Sequence, residues 1–358
     1  MSDERAPSAA RRPGARASRR RAMTILSGVA AVVLGFAAVA VGLAAAVLAT
    51  AAVATALIAA RIEAENPPLG RFVAVTGGRL SAIEARPASG ARGTIVLLHG
   101  ASASASDPLE GVGRTLADRG FRVLAFDRPG FGWSDRLAGG DAAAPEVQAR
   151  AIGEALDRLD TGPVIVLGHS WAGALALRLA LDRPDRVSGL VLAAPVAMPM
   201  PRQPLPWWAQ LALQPPVTWL LTRTVAVPIG LSYLGRAAGV VFAPQPVSAG
   251  YVERSRAALI LRPGPALANI QDLVGLPAAL AAQAPRYGEI HVPTVVVAGD
   301  ADSVVRTALQ AAPLARAIPG AELVTLPGVG HMLLYVAAGA VADAAETLSR
   351  RIEASRTR

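Results

Sequence analysis

The sequence predicts an α/β architecture: a mostly parallel sheet flanked by helices on both faces, with a helical cap insertion and one N-terminal transmembrane helix. Three observations carry this. Short continuous apolar runs recur at 94–100, 121–127, 163–168, 187–194, 293–300 and 321–328, each too short for a helix. Stretches of helical period separate most of them. Ahead of them all lie 38 consecutive uncharged residues, Met23–Ala60.

In chain order, residues 1–22 form a basic tail with seven arginines. Met23–Ala60 follows as the anchor, since about 20 apolar residues span a bilayer and 38 form a helix about 57 Å long. The upstream arginines place the amino terminus in the cytoplasm and the body outside. "SRRRAM" (18–23) also matches the opening of a twin-arginine export signal, with small residues near 51–60 suited to cleavage; the length of the apolar run favours a retained anchor. A two-helix hairpin that leaves the body inside is the third arrangement.

The body occupies 61–358. "RFVAV" and "LSAIEA" flank Gly77-Gly78 as an opening hairpin. "LEGVGRTLADRG" and "PEVQARAIGEALDRLD" read as helices between strands, another starts at Trp171, a further one covers 304–317, and a last one runs from Met332 to Arg351. Over 196–290 the alternation stops, and a stretch rich in Pro, Trp and Leu reads as the cap. Trp207, Trp208 and Trp219 are expected chiefly in its core, with a lipid-facing or pocket-lining role as the alternative. Arg254, Arg256 and Arg262 are expected on solvated faces, with contact to an acidic substrate as the alternative. The helical pattern there is expected to break at Pro263.

Composition excludes several chemistries. There is no cysteine, hence no disulfide, thiolate zinc site, cysteine nucleophile or acylated cysteine. All 35 basic residues are arginine, which removes a lysine Schiff base. Of the net charge of +9, the first 22 residues carry +5 and the last ten +3, so the body is nearly neutral and no nucleic-acid partner is expected.

The groups left for chemistry fall at strand ends, where parallel sheets place their sites. Ser170, in "VLGHSWAGAL", follows a strand and precedes a helix, with Gly168 and Ala172 small enough for a sharp turn. A serine hydroxyl needs a base. His331, in the Gly-rich loop "LPGVGHML", is the candidate. His169 is expected to pack beneath the turn, His99 to brace its own loop and His291 to enter a strand. Of two carboxylates after the strand at 293–300, Asp302 reaches toward His331 and Asp300 braces the turn. The backbone amides of Ala101 and Trp171 are the candidate oxyanion donors. No metal or organic cofactor is called for.

The motifs "LLHG" (97–100), "FDRPGFGWSD" (126–135), "GHSWAG" (168–173), "GDAD" (299–302) and "GVGH" (328–331) occur in an order that resembles the α/β-hydrolase family. The similarity is to its cap-bearing branch of esterases, cofactor-free haloperoxidase-like enzymes and carbon–carbon bond hydrolases. The resemblance covers about 70–355 and implies a Ser-His-Asp hydrolase acting on a small apolar or lipid-like acyl substrate. It also implies that Asp127 is a structural brace. Ala172 departs from the usual glycine of the elbow. Serine at the nucleophile position argues against dehalogenases and epoxide hydrolases, which attack with Asp, and "HGAS" argues against proline-releasing peptidases. Acyl transfer, perhydrolysis and a non-catalytic membrane scaffold remain as alternatives.

Overall fold

The computed structural model describes residues 14–139, 141–199 and 204–356. Most of the arginine-rich tail, and positions 200–203 near the start of the expected cap, lie outside the described residues. The chain divides into two units, Met1–Val53 and Ala54–Arg358. Helix α1 (Gly14–Glu65) continues from one into the other, and it contains the one described helix long and apolar enough to cross a membrane.

The second unit begins at Ala54 and takes in the last turns of α1, which pack within it. Thr55 and Ile62 are buried, Thr55 Oγ1 donates to the Thr224 carbonyl, and Glu63 pairs with Arg262 at 3.0 Å.

Eight strands form one sheet: β1 (Arg71–Val75), β2 (Gly78–Ala85), β3 (Thr94–Leu98), β4 (Arg122–Phe126), β5 (Val164–His169), β6 (Val187–Ala193), β7 (Thr294–Gly299) and β8 (Glu322–Leu326), in the order β1-β2-β4-β3-β5-β6-β7-β8. β1 and β2 pair antiparallel through a turn at Gly77, β2 joins β4 antiparallel, and all later pairings are parallel.

Alternation along the strands divides the core. Val96, Leu98, Val166 and Leu192 face α2 (Pro145–Arg158) and α3 (Ala172–Asp182). Ile95, Leu97, Leu167 and Val191 face the helical run over 106–118 and the last long helix. Both faces are covered, which is why these strands read as unbroken apolar runs. Truncating one such leucine to alanine costs about 2–5 kcal/mol.

Between β6 and β7 lie α4 (Trp207–Ala212), α5 (Pro215–Arg223), α6 (Ala226–Phe242) and α7 (Pro263–Gln283), with no strand among the described residues. The helical pattern breaks at Pro263 as expected: the turn over Ala257–Leu261 ends, Arg262 is extended, and Pro263 opens α7 at the first helical position, where its missing N–H leaves no bond unmade. The helix expected over 304–317 is confined to Ala311–Ala317. Ahead of it the chain is spent on side-chain bonds, with Asp302 accepting from Val304 and Val305 and Thr307 donating to Gly299. The last long helix, α8, covers Ala338–Arg356 after a short turn of helix at Leu333–Val336.

Candidate active site

Ser170 occupies the turn between β5 and α3 with φ +55°, a conformation that L-residues adopt only when their surroundings impose it. Three backbone bonds do so. Ser170 N donates to Ala193 O (3.0 Å), and Ser170 O accepts from Gly173 N (2.8 Å) and Val196 N (2.9 Å). Gly168 is required by the close approach of α3, since a Cβ there would stand 2.6 Å from the Ala172 carbonyl. Ala172 is accommodated, fully buried.

His331 Nε2 lies 3.0 Å from Ser170 Oγ, and His331 Nδ1 lies 2.8 Å from Asp302 Oδ2. A carboxylate can only accept, so Nδ1 carries the proton and the Nε2 lone pair faces the serine hydroxyl. Asp302 is held in turn, its Oδ1 accepting from the amides of Val304 and Val305 at 2.8 Å each. Asp300 accepts from Gly328 N at 2.7 Å and braces the turn. The loop that carries His331 closes onto β7 at Gly299, where a Cβ would stand 2.0 Å from the Val329 carbonyl.

The other histidines lie apart from this chain of bonds. His169 Nε2 donates to the His331 carbonyl (3.1 Å) from beneath the turn, and its Nδ1 is buried without a partner. Burial, then the proximity of His331, pushes its pKa down to about 3, so it stays neutral. His99 donates from Nδ1 to Gly100 O (2.8 Å) and accepts at Nε2 from Arg128 N (3.0 Å). Its pKa too is driven well below the ordinary value, first by burial and then by the adjacent guanidinium. His291 is exposed at the entry to β7.

The amides of Ala101, just past β3, and Trp171, at the cap position of α3, meet no protein acceptor among the described residues. Their setting depends on a group that motif reading missed, Arg128. Its fully buried guanidinium donates to the carbonyls of His99 (3.0 Å) and Gly100 (3.3 Å) and lies 3.9 Å from the Trp171 ring centroid. Asp272 of α7 neutralises it at 2.6 Å and also accepts from Arg136 and Gln148. Burial lowers the Arg128 pKa to about 10 despite that partner. Asp127 braces the neighbouring loop, accepting from Ala105 N (2.7 Å) and Trp133 N (2.9 Å).

The insertion supplies two further supports with no sequence signature. Gln245 accepts from Gly330 N (2.9 Å) and donates to Gly328 O (2.6 Å), so it grips the loop that carries His331 on both sides. Asn269 bonds Ser102 through both backbone and side chain, at 2.8 and 2.9 Å.

A cavity of about 480 Å³ opens over Ser170 and His331. One face of α6 lines it, through Gly230, Leu234, Ala237 and Val241. Asp107 and Tyr251 are polar exceptions in its wall. Burial raises the Asp107 carboxyl to about 6, against hydrogen bonds from Tyr251 and Tyr335. Trp207, Trp208 and Trp219 do not form the cap's core; all three are exposed. Arg262 is not on a solvated face but buried, bonded to Glu63 and the Gly132 carbonyl and stacked 4.7 Å from the Trp133 ring. Arg254 and Arg256 donate to the carbonyls of Ala249 and Pro67. Among the described residues, no group of three or more His, Cys, Asp or Glu is placed to hold a metal ion.

Similarity to known proteins follows this geometry. The 2-hydroxymuconate semialdehyde hydrolase of Pseudomonas putida is 32% identical over 137 residues, which is 38% of this chain and only 47% of that protein. Haloalkane dehalogenase 2 of Mycobacterium tuberculosis is 29% identical over 228 residues, 61% of this chain and 74% of that protein. Among solved structures, an esterase from Exiguobacterium antarcticum superposes with a TM-score of 0.62 at 21% identity, over 78% of this chain and 99% of that one. The enol-lactonase of Burkholderia xenovorans gives 0.57 at 24%, over 78% and 99%. At such identities the superpositions speak to fold alone. The sequence profile of the alpha/beta hydrolase fold matches residues 93–338, most of the chain and all of the site just described, and the protein belongs to that family.

Proposed function

We propose that the protein is a membrane-anchored serine hydrolase that cleaves an ester-like bond in a small apolar or lipid-like substrate. The observation that carries this reading is the unbroken chain of bonds from Ser170 Oγ through His331 to Asp302 at the floor of an apolar cavity. His331 Nε2 takes the Ser170 proton as the oxygen attacks the carbonyl carbon. The developing oxyanion is received by the amides of Ala101 and Trp171, each donor worth about 2.7–4 kcal/mol. Collapse expels the alcohol, which leaves with the proton from His331. Water then gives a proton to His331 and attacks the acyl carbon; the acid departs and Ser170 recovers its hydrogen.

Halide displacement is disfavoured chemically, because a serine that displaced a halide would form an ether that water does not cleave. Carbon–carbon bond hydrolysis is the second reading, favoured by the P. putida relative, and is distinguished by turnover of a vinylogous diketone. Retention of α1 as an anchor, rather than its removal as a signal, is supported by the bonds that its last turns make with the body at Thr224 and Arg262. The arginines ahead of it support an extracytoplasmic body.

The test is covalent labelling with a fluorophosphonate. The native chain labels, while Ser170→Ala and His331→Ala do not, and Ser170→Ala lowers ester turnover by about a million-fold. Labelling that persists in Ser170→Ala overturns the reading.

A further inference from the structure

We propose that the outer face of α4–α6 is a membrane-contact surface seated in the interface of a phospholipid bilayer, and that the catalytic cavity fills from that side. The second half rests on the hydrolase reading above; the first does not.

Charge is the first observation. From 187 to 252 the chain contains no Asp or Glu and only three arginines, Arg202, Arg223 and Arg236. Past β6, which is buried, large apolar side chains on α4–α6 are exposed. Trp207 is 75% accessible, Trp208 61%, Trp219 51% and Val240 64%. A single exposed apolar residue is ordinary, but several large ones on three consecutive helices that carry no carboxylate suit an interaction surface. Tryptophan suits the boundary between headgroups and acyl chains, where an apolar ring and a polar N–H are both accommodated.

The cations fit the same partner. The Arg223 guanidinium lies 4.3 Å from the Trp219 ring centroid, and that of Arg236 lies 5.5 Å from the ring of Tyr233, which stands where the catalytic cavity opens. Arginine beside aromatic rings, with no carboxylate near in sequence, is matched to the phosphates of anionic lipid.

The helices lie in an interface rather than across it. α6 has 17 residues, about 26 Å at 1.5 Å each, and meets α5 at a bend of 76°. Its inner face lines the catalytic cavity, so only its outer face is free for lipid. Thr55, in the last turns of α1, hydrogen-bonds to the Thr224 carbonyl at that same bend. A second groove of about 580 Å³, lined by Leu213, Trp219, Leu267 and Val274 together with Arg136, Asp141 and Gln271, shares Ile270 with the catalytic cavity.

The test uses the full chain in vesicles of phosphatidylcholine and phosphatidylglycerol, with phosphatidylcholine brominated near the headgroup as quencher. Tryptophan fluorescence of the native protein is quenched, and most of that quenching disappears in Trp207→Phe/Trp208→Phe/Trp219→Phe, which keeps the patch apolar. Trp171 is buried and Trp133 is bonded to the Asn66 carbonyl within the body, so neither reports the patch. Quenching that is absent or unchanged in the triple variant overturns the contact. So does a concentration-dependent association of chains that shields these tryptophans from bromine, which would assign the face to a second copy.

For the route, Trp207→Ser/Trp208→Ser leaves turnover of a water-soluble acetate ester unchanged and lowers turnover of a long-chain ester dissolved in the vesicles by about tenfold. Equal loss on both esters overturns the route. If neither ester is turned over by the native chain while quenching persists, the hydrolase reading falls and the membrane contact stands.

Discussion

At Ser170 the backbone holds a strained φ that costs about 1–3 kcal/mol, offset by the bonds to Ala193, Gly173 and Val196. Ser170→Gly should therefore be more stable than Ser170→Ala by about 1 kcal/mol in urea denaturation, although both lack ester turnover. Asp107 makes a second prediction. Its carboxyl rises from 3.8 to about 6 on folding, so between those values the folded chain binds more protons than the unfolded one. Stability contributed there falls as pH rises from 3.8 to about 6. The buried His169 acts in the opposite sense, its neutral form withdrawing stability as pH falls from 6.5 toward 3. Comparing Asp107→Asn with the native chain cancels that term: a plot of Tm against pH loses the decline over the Asp107 window, with Tyr251, Tyr335 and His331 as the neighbours that set its size. An unchanged slope would contradict the assignment.

Among elements, α7 contributes more to the site than its sequence suggests. Asp272 neutralises Arg128, and Arg128 fixes both the carbonyls before Ala101 and the ring of Trp171. Removing one member of a fully buried ion pair leaves the other charge unsolvated, so Asp272→Ala should cost about 3–5 kcal/mol in chemical denaturation. What was legible in the sequence follows the same physics. The parallel strands announced themselves because both faces are apolar, and the meeting of Ser170, His331 and Asp302 because each follows a strand at the same end of the sheet. Arg128 stood inside a quoted motif, yet its partner lies 144 positions away on a helix whose periodicity says nothing about what it faces. The tryptophans were misplaced because hydrophobicity gives no sign of which apolar residues lack a protein neighbour.

At the scale of the molecule, the compact unit begins inside α1, which makes the boundary testable. Deleting residues 1–53 should leave Tm nearly unchanged, whereas deleting residues 1–66 strips Arg262 of Glu63 and Trp133 of its Asn66 acceptor and should lower Tm by several degrees. Equal stability of the two truncations would show that the last turns of α1 contribute nothing. The grip of Gln245 on the carbonyl of Gly328 and the amide of Gly330 has a wider consequence. Gln245→Ala should lower kcat by about 10–100-fold with little change in KM, because misalignment of the imidazole reaches the reaction rather than substrate affinity. In the proposed reaction, any shift of the insertion at Gln245 would also move the loop that carries His331, its proton acceptor, so recognition and rate would be geared together. Exchanging this insertion for another to alter preference would hand the acceptor's timing to a stranger.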